Sequence, residues 1–236
     1  MLCLHGLGGT PHSVLPLTAA AHGAGYATVA PMLPGHGSTP ADLYGITWSD
    51  WVAAVTGFAD DLARRCHGIV IVGQSMGATL ALQVAASHSH VRGVAAINPL
   101  VLPPDPDATE QLEYLLGRGR TMQPAGAPDI RDGTAHDTAY SELPLHSLLQ
   151  LGIGSAMVHE LMPALRIPLL IVSSDHDAVV DPANADALGA VAAGPVTRLR
   201  LANSGHVAAL DLDREQLCRE LLTWLVTLTD ESAVSV

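Results

Sequence analysis

Ile69-Val70-Ile71-Val72-Gly73-Gln74-Ser75-Met76-Gly77-Ala78-Thr79-Leu80-Ala81-Leu82 joins an aliphatic run, a G-x-S-x-G turn and a helix-forming run without interruption. A β-branched run with no polar alternation reads as a strand buried on both faces. The apolar residues after the turn, at three- and four-residue spacing, read as a helix. The turn between them is so tight that positions 73 and 77 must lack bulk, and it lifts the Ser75 hydroxyl above the sheet edge. G-x-S-x-G alone is a weak pattern in a chain with 22 glycines. Set between a strand and a helix, it makes Ser75 a candidate nucleophile.

Outward from this stretch the same alternation recurs. Candidate strands are Leu2 to His5, Ala27 to Pro31, Ile69 to Gly73, Gly93 to Asn98, Ile167 to Ser173 and Val196 to Ala202. Helical patterns fall at Ser13 to Gly23, Thr47 to Cys66, Ser75 to Ser87, Ala183 to Val191 and Asp211 to Leu228. This is the pattern of an α/β fold, a mostly parallel, doubly wound sheet with helices on both faces. From 100 to 162 the rhythm stops, and Pro103, Pro104, Pro106, Pro124, Pro128 and Pro144 punctuate the interval. Its first half reads as loop. Its second half, Leu145 to Leu165, carries Leu, Ile and Met at helical spacing and reads as a small helical cap. The core is therefore expected in 1–99 and 163–236, with 100–162 inserted, and a frayed tail after Thr229.

Of 236 residues, 48% are hydrophobic and 14% charged, enough for one large aliphatic core and incompatible with disorder. All eleven basic residues are Arg, and 23 acidic residues bring the formal charge to −12. Such a surface repels phosphate backbones, so no nucleic acid partner is expected. The absence of Lys excludes Schiff-base and P-loop chemistry. Cys3, Cys66 and Cys218 are widely spaced and form no metal or redox motif. No apolar run reaches about 18 residues and no basic n-region opens the chain, so a cytoplasmic protein without integral membrane association is expected. Gly6-Leu7-Gly8-Gly9-Thr10-Pro11 fails as a dinucleotide fingerprint at Pro11, and His159-Glu160 fails as a zinc-protease motif at Pro163. His88 and His90 read as a solvated pair, and no metal or cofactor is expected.

A serine hydroxyl is a poor nucleophile until a base takes its proton, and that base needs a carboxylate to orient it. His206, in Asn203-Ser204-Gly205-His206, follows the last strand candidate and precedes the last helix. It lies where a loop at the carboxyl edge of the sheet reaches Ser75; downstream of the cap, His176 alone shares that placement. His5 and His36 precede Ser75 and read as loop braces. Asp175, Asp177 and Asp181 all follow the fifth strand candidate, and spacing does not choose among them.

With these pieces in place the chain resembles the α/β-hydrolase superfamily, and within it the bacterial carboxylesterase and monoacylglycerol lipase branch. The resemblance rests on His5-Gly6-Leu7-Gly8-Gly9-Thr10-Pro11, Pro34-Gly35-His36-Gly37, the G-x-S-x-G turn, Asp177-Ala178-Val179-Val180-Asp181-Pro182 and Ser204-Gly205-His206-Val207. It implies a triad of Ser75, Asp177 and His206, since the carboxylate of that branch stands just before an aliphatic pair and a proline. It also implies an oxyanion hole from the amides of Leu7 and Met76. The implied reaction is hydrolysis of short- to medium-chain acyl esters, monoacylglycerols among them, through an acyl-enzyme. Amide, thioester or carbon–carbon cleavage on the same triad, or a non-catalytic binding protein of the same fold, are the alternatives. In the apolar run of the cap, Leu145, Leu149, Met157 and Met162 are the expected substrate contacts.

Related enzymes carry one or two strands before the one leading into His5-Gly6, whereas here that strand opens the chain. The expected sheet is therefore shortened to about six parallel strands, with Ala27 to Pro31 at an exposed edge. A reaction needing no metal makes a further prediction: prolonged chelation leaves kcat/KM on an ester unchanged. A loss restored by a divalent ion would overturn the cofactor-free reading.

Overall fold

The computed structural model describes residues 1–232. β1 (Leu2–Leu4), β2 (Ile69–Gln74), β3 (Val91–Ile97), β6 (Leu169–Ser174) and β7 (Val196–Leu201) form one parallel sheet in the order β1-β2-β3-β6-β7. β4 (Met122–Pro124) and β5 (Glu142–Pro144) make a separate antiparallel ribbon. The helices are α1 (Leu15–Gly23), α2 (Trp48–Ala63), α3 (Met76–Ala85), α4 (Pro106–Gly117), α5 (Leu145–Leu161), α6 (Ala183–Val191) and α7 (Arg214–Ser232).

Alternation along each strand divides the core in two. Leu2, Leu4, Ile69, Ile71, Val94, Ala96, Leu169 and Ile171 pack with α2 and α3. Their neighbours Cys3, Val72, Ala95, Ile97, Leu170 and Val172 pack with α1 and α7 through Leu17, Leu217, Leu221 and Trp224. Side chains point to opposite faces at every step, so a strand covered on both sides must be apolar throughout, and this explains the unbroken aliphatic runs. The N-terminus of α2 is set by a capping box in which the Thr47 hydroxyl accepts from the Asp50 amide and Asp50 Oδ2 accepts from the Thr47 amide at 2.8 Å. The helix then buries Trp48, Trp51, Val55, Ala59 and Leu62 along one stripe. Both tryptophans are packing residues: Trp51 Nε1 donates to Pro34 O at 2.9 Å and Trp48 Nε1 to Gln83 Oε1 at 2.6 Å.

The structure corrects three expectations. Among the described residues the sheet has five strands where about six were expected, because Ala27 to Pro31 contributes a single bridge between Val29 and Leu2. Val29 N donates to Met1 O at 3.0 Å and Val29 O accepts from Cys3 N at 2.8 Å. The next donor of that parallel ladder falls at Pro31, which has no N–H, so pairing stops there. The first half of 100–162 is not simply loop, since it holds α4 and β4. Pro106 occupies the first turn of α4, where its missing N–H is never called on, and the Asp105 side chain caps that end by accepting from the Asp107 amide at 3.0 Å. No residue of α4 is buried, which removes the apolar stripe that would reveal it in sequence. Finally, α7 continues past Thr229 to Ser232; the rest of the expected tail lies outside the described residues.

Trp51 is fully buried and hydrogen-bonded, so Trp51→Ala should destabilise the protein by about 3–5 kcal/mol. Urea unfolding followed by circular dichroism measures the loss, and a change under about 1 kcal/mol would show that the α2 stripe is not part of the main core.

Candidate active site

Ser75 stands between β2 and α3 with φ 56° and ψ −120°, one of two non-glycine residues of positive φ among those described. A Cβ at Gly73 would lie 2.2 Å from Gly77 O, and one at Gly77 would lie 2.4 Å from Leu4 O and 2.7 Å from His5 O. Both glycines are therefore demanded by backbone contact. The Ser75 amide donates to Ile97 O at 2.9 Å, which ties the strained turn to the end of β3. Strain of this kind stores on the order of 1–3 kcal/mol and persists only when the surroundings over-determine it.

Beside the turn runs the loop after β1. A Cβ on Gly6 would meet the Ser75 Cβ at 3.3 Å and its Oγ at 3.8 Å. Two buried histidines hold this loop. His5 Nδ1 donates to Gly6 O at 2.9 Å while its Nε2 accepts from the Leu33 amide at 3.1 Å. His36 Nδ1 donates to Pro34 O at 3.0 Å and its Nε2 accepts from the Gly8 amide at 3.0 Å. Each ring is thus neutral with the proton on Nδ1. Because His36 engages Gly8, that amide is spent, whereas the Leu7 amide makes no hydrogen bond among the described residues. Met76, as the first residue of α3, has an amide with no acceptor inside the helix.

On the far side of Ser75 the structure joins His206 to Asp177. His206 Nδ1 lies 2.7 Å from Asp177 Oδ2, and Asp177 Oδ1 accepts from the amides of Val179 and Val180, each at 2.8 Å. The other two carboxylates are engaged elsewhere, Asp175 with Arg200 Nε and Asp181 with the Ala183 amide. Three residues that the sequence reading did not single out grip the His206 peptide. Gln74 Nε2 and Asn98 Nδ2 donate to His206 O at 2.7 and 2.8 Å, and the His206 amide donates to Asp129 Oδ2 at 2.9 Å. Gln74 and Asn98 had a legible signal, each being a polar residue at the carboxyl end of an aliphatic strand. Asp129 had none.

Ser75, His206, Leu7 and Gly6 line one cavity of about 200 Å³. Its apolar wall comes from Leu143, Leu148, Leu151, Val179 and Val207, and its polar groups include Ser13 and Asp137. The expected substrate contacts are placed elsewhere. Leu145 and Met162 are buried, Leu149 is half-buried and Met157 is exposed, and none of the four lines this cavity. Helical phase is the reason: α5 turns Leu148 and Leu151, three residues apart, toward the opening. Among the described residues no cluster of three or more metal-ligating side chains occurs, and no helix is long and apolar enough to cross a membrane.

The sequence profile of the alpha/beta hydrolase family matches residues 1–220. The chain belongs to the α/β hydrolase family. A thermostable monoacylglycerol lipase from Bacillus sp. (strain H-257) is 36% identical to this hydrolase over 226 residues, 94% of this chain and 88% of that one. A solved structure from work on LipS and LipT, two metagenome-derived lipolytic enzymes, superposes with a TM-score of 0.90 at 30% identity, covering 96% of this chain and 92% of the other. The monoacylglycerol lipase of Paleococcus ferrophilus has a TM-score of 0.80 at 17% identity over 96% and 94% of the two chains, a likeness of fold. This α/β hydrolase is of the lipase and esterase type.

Burial, with the neighbouring His36, pushes the His5 pKa down to about 3, and burial lowers that of His36 as well. Both groups bind their proton in the unfolded chain near pH 6.5 but not in the folded one. The stability they contribute is complete above that pH and is lost as pH falls toward the folded values. The thermal midpoint should therefore drop between pH 6.5 and about 4, by the equivalent of a few kcal/mol. His5→Gln and His36→Gln should each flatten that slope; a slope unchanged in both variants would place the acid sensitivity elsewhere.

Proposed function

We propose that this hydrolase cleaves carboxylic esters through an acyl-enzyme, with Ser75 as nucleophile, His206 as general base and acid, and Asp177 orienting the imidazole. The observation that carries the reading is the 2.7 Å Asp177–His206 hydrogen bond beside a cavity that Ser75 also lines. With Nδ1 committed to Asp177, Nε2 is the proton acceptor. The Ser75 hydroxyl makes no hydrogen bond among the described residues and is free to turn toward His206 as substrate enters.

The serine oxygen then adds to the ester carbonyl while its proton passes to His206 Nε2. Asp177 stabilises the imidazolium so formed. The amides of Leu7 and Met76 hold the oxyanion, each worth about 3–4 kcal/mol in a site of this kind. Collapse of the intermediate expels the alcohol, which takes the proton from His206. Water, deprotonated in turn by His206, releases the acid.

The segment 100–162 acts as a cap, and Leu143, Leu148 and Leu151 offer the acyl chain an apolar wall. Likeness to a monoacylglycerol lipase supports monoacylglycerols as substrates, and a cavity of about 200 Å³ favours short to medium chains over three-chain glycerides. Each buried methylene contributes up to about 0.8 kcal/mol, so kcat/KM should rise up to about fourfold per carbon and then fall.

A p-nitrophenyl ester series with mono- and triacylglycerols tests the substrate, and organophosphate labelling read by mass tests the nucleophile. Ser75→Ala should abolish labelling and lower turnover by about a thousandfold or more. Asp177→Asn should damage turnover more than Asp175→Asn. Labelling that survives in Ser75→Ala would remove the nucleophile; a flat profile, or preference for long-chain triacylglycerol, would remove the substrate assignment.

A further inference from the structure

We propose that Asp129 is a positioning residue whose carboxylate locks the Asp177 loop to the His206 loop, so that the inserted segment sets the geometry of the acid–base pair. The inference rests on the reading of Asp177 and His206 given above.

One oxygen serves both loops. Asp129 Oδ2 accepts from the Ala178 amide at 2.8 Å and from the His206 amide at 2.9 Å, the residues beside and within the pair. The main-chain oxygen of Asp129 accepts from the Val207 amide at 3.1 Å, so Asp129 touches the His206 loop at two successive amides. In the Asp177 turn, Asp177 Oδ1 already takes the amides of Val179 and Val180, which leaves the Ala178 amide to an outside acceptor.

The remaining ties between the two loops and the sheet explain why this one matters. The carbonyl side of the His206 peptide is held to the strand ends by Gln74 and Asn98. The Asp177 loop is tied to the end of β7 by Asp175 N to Leu201 O at 2.9 Å, but nearer Asp177 its ties are longer, Asp177 N to Ser174 O at 3.4 Å and His176 N to Ser204 O at 3.3 Å. The two bonds to Asp129 Oδ2, at 2.8 and 2.9 Å, are shorter than either of these and reach both loops from one atom. Without them the Asp177 turn would be held to the His206 loop by the long His176 N to Ser204 O bond and by the Nδ1 bond that it is supposed to orient.

The sequence motif carries a matching concession. A Cβ on Gly205 would lie 2.7 Å from Asp129 Oδ1 and 2.8 Å from its main-chain oxygen, so glycine before His206 is what lets Asp129 approach. A second carboxylate completes the clasp from the other side: Asp211 accepts from the amides of Gly205, Arg131 and Asp132 at 2.7–2.9 Å. The stretch 129–132 is thus stitched to the His206 loop in both directions. Asp129 also lines the cavity, so a substrate that displaces this stretch displaces the base with it.

The test compares Asp129→Ala with Asp129→Asn on two readouts. One is the deshielded imidazole proton of the Asp177–His206 bond, seen by proton NMR in the absence of substrate. The other is the split of kcat and KM on p-nitrophenyl butyrate. Asp129→Ala should shift or broaden that proton and lower kcat about 10- to 100-fold with KM within about threefold. Asp129→Asn, whose side-chain oxygen still accepts both amides, should keep the signal and stay within about threefold of the parent kcat. If Asp129→Ala does not fold, Asp129→Ser, too short to reach both amides, takes its place.

An Ala or Ser variant that folds and retains both the proton signal and kcat would overturn the proposal. So would equal losses in the Asn and Ala variants, which would make the charge rather than the hydrogen-bond geometry the operative property. Ser75→Ala that keeps full esterase activity would instead sink the reading of the pair, and the proton signal would still decide the positioning.

Discussion

Gly77 comes so close to the carbonyls of Leu4 and His5 that a single added carbon there would lie 2.4 Å from one and 2.7 Å from the other. This backbone contact seats the start of α3 directly on the end of β1, and the rest of the site is arranged around it. It puts the loop carrying Gly6 and Leu7 against Ser75 and leaves the first amide of α3 open beside that serine. Backbone-to-backbone approach of this kind requires glycine, because no rotamer change can remove a Cβ. The strain at Ser75 is sustained by the same contact together with the hydrogen bond to Ile97.

Around this fixed point the loops are organised by carboxylates accepting backbone amides. Asp129, Asp177, Asp211 and Asp213 together close the loops at 129–132, 177–180 and 203–213. Burial alone would raise the Asp213 pKa, yet hydrogen bonds from Asn203 and Ser204 outweigh it and hold the carboxyl below its usual range. Thr47–Asp50 and Thr39–Asp42 do the same work at helix starts. Part of the net charge of −12 is therefore structural, since a carboxylate at a turn satisfies several donors that would otherwise go unpaired. Histidines perform the complementary task on the first loop, where neutral rings at His5 and His36 each donate from one nitrogen and accept at the other.

Much of this was legible in the chain itself. The aliphatic strand ahead of Gly73, the helical run after Gly77 and the placement of His206 after the last strand each follow from local rules of period and turn sterics. Where those rules meet exposed or short elements they lose their signal. Nothing in α4 is buried, so it leaves no stripe, and the prolines before it resemble loop punctuation until one of them proves to start a helix. Ala27 to Pro31 has the composition of a strand, but its pairing ends at a residue without a donor.

The sequence by itself determined the class of fold, the order of its core elements, the Ser75 turn and the two loops that face it, because these depend on periodicity and on the size of single residues. The resemblance pointed to Asp177, and the fold brings that carboxylate to His206, but only the folded chain shows which leucines of α5 face the cavity and what holds the His206 peptide. Those outcomes depend on the helical phase of a segment docked from elsewhere and on hydrogen bonds between residues as far apart as Asp129 and His206. No local pattern encodes such distances, since the partners come together only when the fold brings residues 129–132 against the loops at the carboxyl edge of the sheet.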